Sequence, residues 1–212
     1  MRRRRQARCL ALILLLALAS GCAASAPTNY YLLSPMETES KGSARDYRDR
    51  SCAAVGIGPV ELPAYLDRAE MMTRVNRNKL TLSELHHWAE PLQENFKRVL
   101  ADNLDTRLCT SNIAVFPWRS SPPINYRIEA DIIRFEPTAK DTAVLLLRWS
   151  LLDQQAKRIV HSRRARYTQP IKGQGHVAVA AALSRATAEL SRDMAQVIRR
   201  HVQSKRQEGG EK

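Results

Sequence analysis

The thiol of Cys22 is the side chain whose neighbours most clearly indicate a chemical modification. It follows the small residues Ala19, Ser20 and Gly21, as in the bacterial lipobox, although the usual leucine three positions before the cysteine is Ala19, with Leu18 one position further back. In that chemistry a diacylglycerol is attached to the thiol, a peptidase cuts between Gly21 and Cys22, and the freed amine is N-acylated, as by palmitate. An ordinary cleaved signal with an incidental cysteine is the alternative.

The segment before Cys22 has the three parts of a secretory signal: five arginines, an apolar run at 9–19, and a small-residue end. A helix that crosses the hydrocarbon core needs about 20 apolar residues, so the run is too short to span. Ala23, in place of Asp, follows the anchor, which by the sorting rule of enteric bacteria favours the outer membrane over inner-membrane retention. We therefore expect a signal peptide at 1–21, a lipid-anchored tether at 22–29, one domain at 30–203 and a polar tail at 204–212.

Two further cysteines, Cys52 and Cys109, remain after the signal is removed, since Cys9 leaves with it. In an oxidising compartment two such cysteines are expected to form a disulfide. Two buried thiols are the alternative. The chain contains no CxxC or CxxH spacing, so the sequence predicts no metal site.

The sequence contains no complete catalytic motif. His86 and His87 are followed by Trp, Ala and Glu, whereas a zinc-peptidase helix needs HExxH; we interpret the pair as surface residues at the start of a helix. No GxSxG elbow is present. Gly56 and Gly58 lack the third glycine and the following helix of a dinucleotide site, and indicate a bulge or close packing within a strand. These observations predict a protein that is not an enzyme and has no cofactor.

The charge of the chain is strongly basic, with 34 Lys and Arg against 21 Asp and Glu. Removal of the five signal arginines leaves 29 basic residues, a net charge of about +8 for the mature chain. A basic protein suggests nucleic-acid binding, but export argues against it. Anionic lipid headgroups, lipopolysaccharide or an acidic partner are the expected counterions. The arginine-rich segment 158–167 fits such a surface, or simply a solvated edge strand protected by its charges.

The apolar periodicity predicts an α/β fold: a single sandwich with a mixed sheet of about five or six strands and two main helices. Apolar residues recur every three or four positions in 88–108 and in about 176–202, as in amphipathic helices. Pro91 is tolerated in a first helical turn, so the first helix is predicted to begin near Trp88. The predicted strands include an interior one at 143–153, apolar on both faces, and an edge strand at 158–169; the others are 30–34, 53–62, 71–77, 112–118 and 125–135.

Four segments resemble the ABC-type transport auxiliary lipoproteins, the PqiC-like family: YYLLSP at 30–35, VGIGPVELPAYLDRAEMMTR at 55–74, LHHWAEPLQENFKRVLADNL at 85–104 and VFPW at 115–118. The family more often has Pro-Gln-Ile/Met-Val where this chain has Ala69-Glu70-Met71-Met72. The resemblance implies an outer-membrane lipoprotein that faces the periplasm and works with an inner-membrane ABC-type or MCE-domain protein to move lipids. It also implies a three-layer α/β fold, ring-like homo-oligomers and no catalytic residues.

A docking subunit of this kind needs a recognition surface, which we place in the segment 63–74. Tyr65 and Leu66 are apolar or aromatic residues in a proline-flanked loop, and Asp67 and Arg68 could fix the register of a partner. The alternative is that Tyr65 and Leu66 pack into the core and Asp67 caps a turn. A lipid-binding shuttle, or a structural envelope lipoprotein independent of any transporter, remains the alternative function.

Overall fold

One mixed sheet of eight strands and two long helices make up the part of the chain that the structure describes. This computed structural model describes residues 26–36, 53–108, 112–118 and 123–210, with side chains described as far as Gln207. The strands are β1 (Asn29–Tyr31), β2 (Val55–Glu61), β3 (Glu70–Arg74), β4 (Leu80–Trp88), β5 (Ile113–Val115), β6 (Tyr126–Thr138), β7 (Thr142–Asp153) and β8 (Arg158–Pro170). The helices are α1 (Leu92–Arg107) and α2 (Gly175–Gly210), and a 3-10 turn covers Ala64–Leu66.

The long strand β6 is the centre of the sheet. On one side it pairs antiparallel with β7, and β7 pairs antiparallel with β8, which has no other partner strand among the described residues. On its other side β6 pairs parallel with β2 along its first half, and with β3 where Arg74 meets Thr138. Beyond these, β2 pairs parallel with β5. On the side of β3, β3 pairs antiparallel with β4, and β4 pairs parallel with β1. The predicted interior position of 143–153 and edge position of 158–169 are confirmed.

Both helices pack on the same face of this sheet. Phe135, Leu145 and Tyr167 are cross-strand neighbours and point to one face. Phe96 of α1 contacts Phe135 edge-on, with ring centroids 5.4 Å apart, and the Tyr167 hydroxyl donates to Asp193 of α2 at 2.8 Å. The apolar core therefore lies between the sheet and the helix pair.

The α/β class, the mixed sheet and the two main helices are confirmed, with eight strands where five or six are predicted. The helices do not enclose the sheet between them, as a three-layer sandwich requires. Glu136 follows Phe135 and so points to the opposite face. There the 3-10 turn packs on the sheet, since the Tyr65 hydroxyl donates to Glu136 at 2.8 Å.

The segment before α1 differs from the prediction. Trp88 is the last residue of β4, not the start of a helix: its N–H donates to the carbonyl of Ala69, and it pairs with Tyr31 of β1. The helix begins at Leu92, immediately after Pro91. Because a proline disfavours helical geometry in the residue before it, Glu90 cannot easily continue a helix backward. His86 and His87, which directly precede Trp88 in β4, therefore lie in a strand, and the interpretation of the pair as the start of a helix is wrong.

The last helix extends to Gly210, so the predicted polar tail is helical over most of its length. Its end is held to the turn between β7 and β8 by an ion pair between Lys205 and the buried Asp153. Burial would raise the pKa of Asp153, but the N–H of Ala156 and the ammonium of Lys205 outweigh it and lower that pKa to about 2. The ion pair with this carboxylate stabilises the helix beyond its apolar stripe.

The two glycines of β2 are required by close packing and by backbone geometry, as predicted. A Cβ at Gly56 would lie 2.8 Å from the Ile124 side chain and 2.9 Å from that of Trp118. Gly58 has a φ of +121°, which residues with side chains rarely adopt. It lies at the register shift between Ile57 and Val60 in the pairing with β6.

Candidate functional site

The N-terminal arm, defined as residues 29–36, joins the predicted lipid tether to the domain. Its first part is β1, and its second part lies against both helices. The N–H of Leu33 donates to Asn95 Oδ1 of α1 at 2.7 Å, and that of Met36 to Asn103 Oδ1 at 2.8 Å. The N–H of Ser34 donates to Ser184 Oγ of α2 at 3.0 Å. The two asparagines are eight residues apart and share one helix face. They therefore hold the backbone of the arm by hydrogen bonds at two points.

Replacing Asn95 with alanine is expected to loosen the arm. The N–H of Leu33 would lose its partner, and a buried unpaired donor costs about 1–3 kcal/mol. The free energy of unfolding should fall by that amount, and the Leu33 amide should exchange faster with solvent, as measured by urea unfolding and hydrogen exchange. Asn78, an exposed asparagine between β3 and β4, provides the control Asn78→Ala. Unchanged exchange at Leu33 would contradict this role of Asn95.

A cluster of aromatic and imidazole rings holds the first part of the arm. The Tyr31 hydroxyl and His86 Nδ1 are 2.7 Å apart, and the ring of His86 stacks on that of His176 with centroids 3.7 Å apart and planes 12° apart. His176 Nε2 is 3.0 Å from Ser83 Oγ. Burial, and then the neighbouring His86, lower the pKa of His176. The described residues contain no group of three or more His, Cys, Asp or Glu side chains placed to hold a metal ion.

An open groove of about 890 Å³ lies beside the arm, between it and the outer side of α2. Tyr30, Leu32 and Pro35 line it from the arm, and Val177 and Ala181 line it from the helix. Three of these apolar side chains are exposed: Tyr30 by 66%, Leu32 by 46% and Val177 by 70%. The groove thus presents contiguous apolar surface at the point where the predicted tether enters the domain.

The predicted recognition residues divide into two pairs. Leu66 is buried in the core, and Tyr65 is half-buried, with its hydroxyl on the carboxylate of Glu136. Asp67 and Arg68 are exposed, directly after the 3-10 turn. The geometry therefore gives Tyr65 and Leu66 a packing role in this chain and leaves the charged pair exposed to solvent.

Glu136 is the centre of a buried ionic cluster behind this turn. Its carboxylate accepts from Arg74 Nε at 2.6 Å, Arg134 Nε at 2.7 Å and the N–H of Phe135 at 2.9 Å, besides the Tyr65 hydroxyl. Burial would raise the pKa of Glu136, but these hydrogen bonds outweigh it and lower that pKa. Burial, followed by the Glu136 charge, raises the pKa of Tyr65 to about 12. The cluster fixes the turn to the sheet and keeps the tyrosine protonated.

Comparison with known proteins identifies the family. The model of the ABC-type transport auxiliary lipoprotein component matches residues 31–195, which run from the arm to the middle of α2. The chain belongs to this family. Membership implies a membrane-anchored lipoprotein of the periplasm that is associated with an ABC-type transport system.

Two solved structures resemble this auxiliary lipoprotein in fold. One is a crystal structure of an uncharacterised protein, 17% identical, with a TM-score of 0.65 over 82% of this chain and 99% of that one. The other is a protein from Xanthomonas campestris, 19% identical, with a TM-score of 0.59 over the same shares of the two chains. No curated protein matches the chain. At these identities the likeness concerns the fold.

The remaining predicted sites of the auxiliary lipoprotein lie outside the described residues. These are the cleavage site between Gly21 and Cys22, the lipidation of Cys22, and the disulfide between Cys52 and Cys109. Within the described residues, neither helix is long and apolar enough to cross a membrane.

The arginine-rich strand β8 is divided between the two faces of the sheet. Arg163 points to the helices, where it pairs with Asp193 at 2.5 Å. Arg164 and Arg166 alternate with the buried Ala165 and Tyr167, so they lie on the opposite face and are exposed. The strand therefore presents fewer charges to a partner than its sequence suggests.

Sequence patterns could have indicated two features that were missed. Asn95 and Asn103 interrupt the apolar face of α1, and a polar residue at a core position needs a hydrogen-bond partner. The Glu136 cluster gives a weaker signal, since Arg134 and Glu136 share a strand face but Arg74 is 62 residues away from Glu136 in sequence. No local sequence pattern predicts the contact between Arg74 and Glu136.

Proposed function

We propose that this protein is an outer-membrane-anchored periplasmic docking subunit, without catalytic activity, of an MCE-domain or ABC-type lipid transport system that maintains the envelope. The observation that carries the proposal is the family match over residues 31–195. The lipobox at Cys22 and the following Ala23 support an acylated chain sorted to the outer membrane.

The geometry of the arm supports an anchoring role. Asn95, Asn103 and Ser184 hold the arm to both helices by its backbone. A domain held this closely to its tether keeps a defined position relative to the membrane, which suits a subunit that receives the end of a transport complex. The absence of a catalytic motif in the sequence fits the same role.

The recognition surface in this proposal is the exposed end of the segment 63–74. Asp67 and Arg68 are adjacent, exposed and oppositely charged. The ionic cluster of Glu136 fixes the preceding turn through Tyr65 and so limits the motion of the pair. Charged groups on a rigid support set the register of a docking partner more than its affinity.

Exchanging the charges of this pair, as Asp67→Arg with Arg68→Asp, is expected to reduce partner capture several-fold. The net charge and the core stay unchanged, but each charge would face a like charge of the partner. The full-length lipidated protein is tagged and purified from cell membranes in detergent, and the proteins that copurify are identified and quantified by mass spectrometry. The wild type should bring down an MCE-domain or ABC-transport component.

The matched control exchanges another exposed pair, as Asp131→Arg with Arg148→Asp, whose side chains are 3.7 Å apart on the sheet. Its capture should equal that of the wild type. If the Asp67 variant captures as much partner as the wild type, the proposed recognition surface is wrong, but the docking function is not contradicted. A wild-type protein recovered alone, or only with cell-wall material, would contradict the docking function itself.

A further inference from the structure

The apolar side chains that line the groove are unusual because they cluster. Single exposed apolar residues are normal on a soluble domain. Here Tyr30, Leu32 and Val177 are all exposed and line one groove, together with Pro35 and Ala181. This group of five is called the arm patch below. Contiguous apolar surface of this kind marks a place where another apolar phase or molecule binds.

The position of the arm patch relative to the predicted anchor selects its occupant. If Cys22 carries the lipid, residues 22–28 separate the bilayer from Asn29, and an extended chain of that length reaches at most about 25 Å. Tyr30 is the next residue and belongs to the patch. The helix α2 begins beside it and runs 36 residues, or about 54 Å. The tether thus holds the patch, and not the distal end of the helix, close to the membrane.

The charges around the arm patch fit an anionic membrane surface. Arg185 and Arg192 line the same groove. Glu189, an acidic residue of that lining, accepts a hydrogen bond from Gln169 at 2.8 Å. Basic side chains near a membrane surface are attracted to anionic headgroups. Tyrosine, with an apolar ring and a polar hydroxyl, is enriched at the level of the headgroups.

We propose that the arm patch lies against the headgroup region of the membrane that holds the lipid anchor, with Tyr30, Leu32 and Val177 inserted among the lipids. This inference rests on the lipidation in the proposed function. It orients the domain: the start of α2 and the arm face the bilayer, and the turn between β7 and β8, packed near the end of α2 through Asp153 and Lys205, faces the periplasm.

Photocrosslinking of the full-length lipidated protein tests this orientation. Val177 is replaced with the photoreactive residue benzoyl-phenylalanine, and the protein is reconstituted into vesicles of phosphatidylethanolamine and phosphatidylglycerol. Gln155, exposed in the turn between β7 and β8, is the matched control site. After illumination, the adducts are identified by mass spectrometry. We expect several-fold more lipid adduct at position 177 than at position 155.

Two results would overturn the orientation. Equal, low lipid adduct at both positions would place the patch in water. A crosslink from position 177 to a second copy of the chain, in place of lipid, would make the patch a subunit interface. Vesicle flotation separates these failures from a failure of the anchor, because a protein that does not float with the vesicles lacks the lipidation on which the proposed function rests. Since Val177 is 70% exposed, its replacement should leave folding intact, which the thermal transition checks.

Discussion

Replacement of Cys22 with serine is expected to abolish acylation and remove the protein from the outer membrane. A hydroxyl cannot replace the thiolate that accepts the diacylglycerol, and without acyl chains the chain loses about 0.8 kcal/mol of membrane affinity per buried CH₂. Since processing at the lipobox follows lipidation, the variant should also keep its signal peptide and remain longer by residues 1–21. Metabolic labelling with a palmitate analogue, combined with membrane fractionation, measures both effects.

Cys9→Ser is the matched control, because it makes the same substitution in the segment that is predicted to be removed. That variant should be labelled, processed and sorted like the wild type. Label incorporated into the Cys22→Ser protein, or a mature unlabelled form in the outer membrane, would show that the anchor lies elsewhere. The proposed localisation and the orientation of the arm patch would then both lose their basis.

Replacement of Glu136 with glutamine is expected to destabilise the fold by about 3 kcal/mol, the lower end of the range for breaking a buried ion pair. The carboxylate is 1% exposed and serves both Arg74 and Arg134. Glutamine has the same shape but no charge, so both guanidinium groups would lose their counter-charge. They are partly exposed, at 18% and 21%, and water can solvate them in part, which limits the loss. The midpoint of urea unfolding gives the measurement.

The pH dependence of unfolding provides a second test of Glu136. Its pKa in the folded protein lies below the ordinary value of 4.5, so near and below 4.5 the unfolded chain binds more protons than the folded one. The stabilisation by this carboxylate is therefore complete above 4.5 and is lost as the pH falls through the folded pKa. The wild type should lose stability on acidification more steeply than Glu136→Gln.

Asp131→Asn is the control for both measurements. Asp131 lies on the same strand, but it is 54% exposed and its contact with Arg148 is 3.7 Å long, an exposed pair worth little. Its replacement should change the free energy of unfolding by less than about 1 kcal/mol. A Glu136 variant no less stable than this control would show that the ionic cluster contributes nothing to the fold.

Local pattern predicted those elements whose periodicity extends over many residues. The strands β6, β7 and β8 match the predicted segments 125–135, 143–153 and 158–169, and α1 and α2 follow from apolar residues every three or four positions. The start of α1 was misplaced because Trp88 continues the helical spacing while it belongs to β4. Its backbone partners, Tyr31 and Ala69, belong to other segments of the chain. The local spacing of apolar residues therefore cannot reveal this pairing.

The sequence by itself determined the α/β class and the family and predicted the lipidation of Cys22, because each depends on residue types at fixed local spacing. Only the tertiary structure decided that Tyr65 packs against the sheet, where a buried carboxylate 71 residues away in sequence accepts a hydrogen bond from its hydroxyl, and that Asp67 is exposed. It likewise placed Tyr30 and Val177, residues that are distant in the chain, in the lining of one groove. The burial of a side chain and its contacts depend on how distant segments pack in the folded protein. They decide which side chains of a sequence motif remain exposed to a membrane or a partner.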